Sequence, residues 1–256
     1  MKLKRFLLLI LALTMVACAI PAKMRHLSVN KNFSSDSLVG GGLVFAGISS
    51  TQEDWTENQV IAFSEIARSA MLSSRDDLQL NRPDRLIETL GKEEFFHVQQ
   101  EFAKNHALLK DSITKMAEVS GSSKYIMFSR VLSDTNFHQE DQHENKEKTE
   151  RITEYRTTRQ LVVSTEIYDL ATSEVVMSGE MWVNDYNVRS NSKRYGGNFL
   201  TDLALNVLEN NNAYYPDPPP LDGLIEKAFD GIADNLPRKS CKEIGLVECI
   251  KHGFGG

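Results

Sequence analysis

The residues best suited to hold a metal ion lie together in one polar stretch, residues 138–150. Imidazole nitrogens and carboxylate oxygens are common ligands of divalent cations. The stretch offers His138, Glu140, Asp141, His143 and Glu144. Metal ligands have to be held in place by packing, and this stretch contains no apolar residue that could be packed. We therefore predict no metal site here and interpret the stretch as a mobile hairpin connection, with weak and unspecific cation binding as the alternative.

The sequence lacks the usual motifs of nucleophilic catalysis. It contains no Gly-x-Ser-x-Gly turn, and no Ser-x-x-Lys accompanied by the other elements of a penicillin-recognising enzyme. The paired carboxylates Glu93 and Glu94 fall at the start of a predicted helix, where the helix dipole explains them. The glycines at residues 40–42 precede a strand and are not followed by Lys-Ser or Lys-Thr, so they do not form a phosphate-binding loop. We expect a protein that is not an enzyme and that needs no cofactor.

The amino-terminal residues have the order of an export signal. Three basic residues, Lys2, Lys4 and Arg5, are followed by an unbroken apolar run and then by small or apolar residues. The apolar run is shorter than the roughly 20 residues that cross a bilayer. We therefore predict that residues 1–17 are a signal peptide and not a membrane-spanning helix.

The signal ends in Met15-Val16-Ala17-Cys18. These letters resemble the lipobox of bacterial lipoproteins, in which the cysteine sulfur receives a diacylglyceryl group and the signal is removed before that cysteine. Methionine stands where the lipobox usually has leucine. The resemblance implies a lipid anchor on Cys18, and Ala19 after it implies the outer membrane. The alternative is an ordinary secretory signal that is cut after Ala17 or Ala22.

Charge limits the partners of the mature chain. The signal carries three of the 29 basic residues and none of the 35 acidic ones, so the mature side chains have a net charge of −9. Nucleic acids are bound by clustered lysine and arginine, and no such cluster is present. The same acidic balance disfavours a polybasic membrane-binding patch, which leaves the lipid as the expected membrane attachment.

Two further cysteines, Cys241 and Cys249, lie in the carboxy-terminal tail, residues 238–256. An even pair in an oxidising compartment predicts a disulfide, which would stabilise the chain by roughly 2–3 kcal/mol. Two free thiols are the alternative.

Hydrophobic spacing predicts one mixed domain over residues 40–237, after a polar tether over residues 18–39 that we expect to have little fixed structure. Thr56 and Gln59 form a capping box at the start of a helix. Phe95 and Phe102 are predicted to be core residues. The predicted elements are a strand at 43–48, a helix at 56–71, a three-part helical insertion at 84–119, a strand at 125–132, an antiparallel hairpin at 155–183, and helices at 200–208 and 224–233.

The fold class that follows is α/β (α+β), with a mixed sheet in two or three layers, the antiparallel hairpin and carboxy-terminal helices. Before the last helix, the prolines within residues 214–220 require an extended segment. We interpret this segment as a stiff connector, and as a ligand for an aromatic groove in the alternative.

Residues 41–183 resemble a group of envelope lipoproteins that share a domain like the amino-terminal domain of TolB. The group includes the curli-secretion lipoprotein and activators of cell-wall synthases. The matching features are the glycine-led first strand, the strand at 125–132, and the hairpin Tyr168-Asp169-Leu170 followed by Val175 to Gly179. Met177 replaces the group's usual tryptophan, and the helical insertion is longer. The resemblance implies no catalytic residue.

Taken together, these features predict a lipid-anchored accessory protein of the cell envelope. Its domain would face the periplasm and bind another envelope protein or copies of itself. The alternative is a ligand-binding or hydrolytic envelope protein with a pocket between the helical insertion and the sheet.

Overall fold

A computed structural model describes residues 22–51, 55–105, 107–145, 150–194 and 215–239. The strands are β1 (Lys23–Val29), β2 (Leu43–Ser50), β3 (Leu80–Asn81), β4 (Tyr125–Glu144), β5 (Glu150–Asp169) and β6 (Glu174–Arg194). The helices are α1 (Ser35–Gly41), α2 (Glu57–Ser74), α3 (Pro83–Leu90), α4 (Lys92–Asn105), α5 (Lys110–Val119) and α6 (Leu221–Asn235).

The six strands form one mixed sheet in the order β1-β6-β5-β4-β2-β3. β2 runs parallel to both β3 and β4, and the other neighbours are antiparallel. The β5–β6 hairpin confirms the antiparallel hairpin predicted at residues 155–183. The predicted mixed α+β class is also confirmed.

Helices cover both faces of the sheet, which gives three layers. Alternate residues of a strand point to opposite faces, and β2 shows this clearly because it is buried on both. Leu43 and Phe45 pack in a cluster with α2 and α6. Val44 and Ala46 pack in a second cluster with α3, α4 and α5. We call these the α6 face and the α4 face of the sheet.

Several local sequence signals are confirmed. The Thr56 side chain accepts from the Gln59 backbone N–H, and Gln59 reaches back to the Thr56 N–H, which completes the capping box at α2. The helical insertion consists of α3, α4 and α5, and Phe95 and Phe102 are buried. The insertion begins one residue earlier than predicted, because Pro83 occupies the first position of α3, where proline is favoured.

The expectation of a flexible tether over residues 18–39 is wrong from residue 23 onward. β1 pairs with β6, and its Met24 packs against the α6-face core. Ser34 and Ser37 form a capping box that starts α1. An edge strand is held mainly by backbone pairing on one side, so its polar composition did not prevent it from forming.

The prediction of a mobile hairpin connection over residues 138–150 is wrong for residues 138–144, which continue β4, whereas residues 146–149 lie outside the described residues. β4 continues to Glu144 and β5 begins at Glu150, with continuous antiparallel register from Ser133 to Glu144. The backbone N–H and C=O groups of paired strands form hydrogen bonds with each other even where no side chain is buried. The absence of apolar residues therefore does not exclude a strand.

Some predictions fall outside the described residues. These are the signal peptide, the lipidation of Cys18, the helix at 200–208 and the pairing of Cys241 with Cys249. In the part of the chain that the structure describes, no helix is long and apolar enough to cross a membrane.

Candidate functional site

The long strands β4, β5 and β6 extend well beyond their neighbours in the sheet. β2 stops pairing with β4 at Val131, and β1 begins pairing with β6 at Trp182. Beyond these points, residues 136–144, 150–160 and 184–194 form a three-stranded projection that we call the arm. Nine residues of strand correspond to roughly 30 Å, so the arm is a large part of the molecule's surface.

Both long edges of the arm lack a neighbouring strand among the described residues. The two edges differ in charge. Residues 136–144 contain three acidic residues and no lysine or arginine, whereas residues 184–194 contain three basic residues and one acidic residue. Unpaired strand edges are templates for pairing with another chain.

One face of the arm exposes large apolar side chains. Phe137, Tyr186 and Val188 are 49%, 42% and 41% exposed. Phe137 and Tyr186 both pair with Thr158, so they lie in one row across the arm, and Val188 follows Tyr186 on the same face. The Arg156 guanidinium carbon lies 4.6 Å from the centre of the Tyr186 ring. The result is an exposed aromatic patch with a cation stacked on it.

The opposite face of the arm is covered near its root by the segment before α6. The Tyr215 ring centre lies 4.6 Å from that of His138 and 5.5 Å from that of Tyr155, which is buried. Asn187 donates to the Asp217 carbonyl at 2.8 Å. Residues 215–220 therefore pack along the arm in this structure, as a connector would.

An ion pair fixes the root of the arm. Arg159 Nε donates to Asp134 Oδ1 at 2.7 Å, and its Nη2 donates to Asp134 Oδ2. Arg159 Nη1 also donates to the Pro219 carbonyl at 3.1 Å. The Asp134 side chain is only 8% exposed, so this bidentate pair is largely shielded from water.

The metal-ligand candidates of the sequence are divided between the two faces of the arm. His138, Glu140 and Glu144 alternate on the face that Tyr215 covers, and Asp141 and His143 lie on the other. His138 Nδ1 lies 3.1 Å from the Thr157 hydroxyl. Among the described residues, no group of three histidine, cysteine or carboxylate side chains could hold a metal ion.

A cavity of about 280 Å³ lies between the helical insertion and the sheet, where the alternative hypothesis placed a pocket. Its polar lining includes Arg82, Glu88 and Ser120. The Ser120 hydroxyl donates to the Met116 carbonyl of its own helix. None of the described residues that line this cavity is a histidine.

A buried polar cluster holds the helical insertion on the sheet. Arg130 donates to the Phe102 carbonyl at 2.8 Å and stacks on the Phe102 ring, and burial lowers its pKa. The Tyr168 hydroxyl donates to Glu166 and accepts from the Leu108 backbone N–H at 3.2 Å. Burial, followed by the bond to Glu166, raises the pKa of Tyr168, so the phenol stays protonated. These contacts hold the helical insertion against the sheet.

Comparison with known proteins finds only distant similarities. No family model and no curated protein matches the chain. A PelC dodecamer from Paraburkholderia phytofirmans shares 12% identity, covering 85% of this chain and 99% of that chain with a TM-score of 0.34. Lipoprotein GNA1162 from Neisseria meningitidis shares 9% identity, with coverage of 67% and 99% and a TM-score of 0.30. The LpoB C-terminal domain from Salmonella enterica shares 13% identity, with coverage of 59% and 87% and a TM-score of 0.30.

Identities and TM-scores this low carry no conclusion about what this chain binds or does. The candidate site therefore rests on its own geometry. Sequence reasoning missed it because the arm is polar, although Thr, Tyr and Ile recur in residues 150–160 as they do in strands.

Proposed function

We propose that this protein is a lipid-anchored accessory protein of the outer membrane that faces the periplasm and acts through protein–protein association. The arm is its association surface. The observation that carries the proposal is that the arm combines two strand edges that have no neighbouring strand among the described residues with the exposed patch of Phe137, Tyr186 and Val188.

The arm's geometry supports association because each of its features is costly for an isolated protein. Long open edges invite pairing with other chains, and natural sheets usually shorten or cover them. Aromatic residues and arginine dominate the energetics of protein interfaces, and here Arg156 stacks on the exposed Tyr186. A partner that adds a strand to either edge would pair with backbone groups that no described strand occupies.

Charge favours a second copy of this chain as that partner. The acidic β4 edge, which includes Glu140 and Asp141, complements the basic β6 edge, which includes Arg189. β4 and β6 run in the same direction, so two copies with the same orientation can bring unlike edges together. Such a head-to-tail contact uses different surfaces on the two copies and can repeat around a ring.

The anchoring part of the proposal rests on the resemblance of residues 15–18 to the lipobox. Membership in the group with the TolB-like domain is part of the same proposal. The fold and the absence of a recognised catalytic motif in the sequence are compatible with it, and we propose no enzymatic activity.

Anchoring is tested by Cys18→Ala in the full-length chain. The substitution removes the sulfur that receives the lipid, so we expect an unprocessed precursor or a protein released into the soluble fraction. Cell fractionation and the mobility of the band measure both outcomes. A variant that is processed and sediments with membranes like the wild type would contradict lipidation at Cys18.

Association is tested by reversing the charge of one edge. Glu140→Lys with Asp141→Lys should weaken self-association, and adding Arg189→Glu should restore part of it, because the unlike charges are exchanged. Sedimentation velocity of the full mature chain carrying Cys18→Ser measures the mass. The matched control is Glu93→Lys with Glu118→Lys, which makes the same charge change on helices. If the chain that carries only Cys18→Ser stays monomeric at all concentrations, the proposal that the partner is a second copy is contradicted.

A further inference from the structure

The structure leaves very little chain between the lipid anchor and the folded domain. β1 begins at Lys23, so only four residues, 19–22, separate it from Cys18. Five residue steps span at most roughly 18 Å. If Cys18 carries lipid, as proposed above, the amino-terminal end of β1 is therefore held within that distance of the bilayer surface.

The chain next to the anchor is basic, although the protein as a whole is acidic. Lys23, Arg25, His26 and Lys31 all precede Asp36, which is the first acidic residue after Cys18. Within β1, Lys23, Arg25 and His26 are exposed, and Leu27 is 43% exposed. β1 is also an edge strand, with no described strand on its outer side.

A tryptophan lies beside these cations. Trp182 of β6 pairs directly with Lys23, and Arg25 stacks on its ring with its guanidinium carbon 4.1 Å from the ring centre. The Trp182 indole N–H donates to Glu180 at 3.3 Å. Tryptophan and arginine are well suited to the headgroup region, because the indole combines an apolar ring with one polar group and arginine pairs with phosphate.

From this arrangement we infer that a surface formed by Lys23, Arg25, His26, Leu27 and Trp182, the β1 surface, rests on anionic phospholipid headgroups. The inference uses the anchoring at Cys18 from the proposed function and adds the orientation of the domain. Tethering by four residues makes the contact intramolecular, so even a weak attraction orients the domain. Among the described contacts of this surface, Glu180 supplies an acidic group, with its carboxylate 4.0 Å from His26 Nε2.

The two tryptophans of the chain provide a direct test without any added probe. Trp182 belongs to the β1 surface, whereas Trp55 packs on Phe63 of α2 with a ring-centre distance of 4.7 Å. Trp55→Phe leaves Trp182 as the single emitter, and Trp182→Phe leaves Trp55. Each variant of the full lipidated chain is reconstituted in vesicles of phosphatidylethanolamine and phosphatidylglycerol that contain brominated acyl chains, which quench nearby tryptophan.

We expect bromine to quench Trp182 and to leave Trp55 unchanged. Lys23→Gln with Arg25→Gln should lower the ratio of membrane-bound to free orientations of the domain by about five-fold for each residue. The quenching of Trp182 should decrease accordingly. Lys104→Gln with Lys110→Gln, the same charge change on helical surfaces, should not reduce it.

The outcomes separate this inference from the anchoring on which it rests. Protein that fails to float with the vesicles contradicts lipidation at Cys18. Protein that floats with an unquenched Trp182, or with Trp55 quenched instead, overturns the β1 surface as the membrane contact. A Trp182 that stays unquenched in vesicles but shifts its emission when envelope proteins are added would assign the surface to a protein partner and would also overturn the inference.

Discussion

Two phenylalanines of β4 show how the arm differs from the part of the sheet that packs against the helices, which we call the covered half. Phe128 is fully buried and packs against Phe102 and Tyr168 under the helical insertion. Phe137 lies on the same face nine residues later and is 49% exposed. The bulge at Leu132 keeps both side chains on this face. The covered half is stabilised by buried apolar side chains. The arm is stabilised by the hydrogen bonds between its strands and by the Arg159–Asp134 ion pair at its root.

On the basis of this contrast we propose that the same strand serves two purposes. The apolar side chains of the covered half are buried in the core, whereas Phe137, Tyr186 and Val188 of the arm are exposed. Substitutions in the two halves should therefore separate stability from association.

The largest expected difference is between Phe128→Ala and Phe137→Ala. Removing the buried ring should lower the free energy of unfolding by about 3–5 kcal/mol, because it leaves a cavity in the core. Removing the exposed ring of Phe137 should change the free energy of unfolding by no more than about 0.5 kcal/mol. Denaturant unfolding of the full mature chain measures both. Equal losses would mean that the arm is packed as tightly as the core.

Arg159→Ala should have the next largest effect, because it leaves the shielded Asp134 carboxylate without its bidentate partner. We expect a loss of about 3 kcal/mol, as for other buried pairs from which one member is removed. Hydrogen exchange should show the loss in the arm more than in α2. Arg159→Lys keeps the positive charge but loses the two guanidinium N–H donors that contact both Asp134 oxygens. This variant should therefore recover only part of the stability. An unchanged exchange rate in the arm would contradict the role of this pair as its root.

Tyr186→Ser should leave the fold intact and weaken association. A central aromatic residue at an interface contributes about 2 kcal/mol, which corresponds to roughly a thirty-fold weaker dissociation constant. Sedimentation equilibrium measures the constant, and thermal unfolding provides the stability control. Ile61→Ser removes an apolar side chain of similar exposure from α2 and should change neither quantity. If both variants associate equally weakly, the arm is not the association surface.

The smallest expected effect concerns acid stability in the covered half. The hydrogen bond from Arg75 holds the pKa of Asp77 below its usual range. An aspartate with a lowered folded pKa stabilises the fold above its unfolded pKa of about 3.9, and this contribution is lost as the pH falls through the folded pKa. Asp77→Asn should therefore reduce stability at neutral pH and flatten its dependence below about pH 4.

Asp77 is 42% exposed, so solvent screening keeps this effect small. Glu118→Gln, a change at an exposed helical carboxylate, is the control. Unfolding midpoints measured between acid and neutral pH compare the two. A pH profile of Asp77→Asn that parallels the wild type would contradict the role of the Arg75 contact.

The covered half was predictable from the sequence because burial imposes a pattern on it. The apolar run of β2, the spacing of Val60, Ala67 and Met71 on α2, and the capping box at Thr56 each follow from a known physical rule. The hairpin at residues 155–183 was predictable for the same reason, although β5 is buried there on both faces, with Leu161 and Val163 on the α6 face and Tyr168 on the α4 face. For such elements the hydrophobic pattern contains most of the required information.

The arm and β1 were not predictable by the same reasoning. Their strands form through backbone pairing, and the side chains of residues 138–144 are mostly solvated and charged, so hydrophobic spacing gives no signal. The net acidic charge also hid the basic cluster around Arg25, because a total charge does not report where the charges lie. The anchor itself, Cys18, follows from a motif and lies outside the described residues.

The most direct test of the arm as the association surface is site-specific photo-crosslinking in intact cells. A photoreactive amino acid is placed at Phe137 or, as the matched control, at Ile61, which is exposed to a similar degree on α2. We predict a discrete crosslinked product from position 137, with mass spectrometry identifying a second copy of this chain, and none from position 61. No product at position 137, or equal products at both positions, would contradict the arm as the association surface.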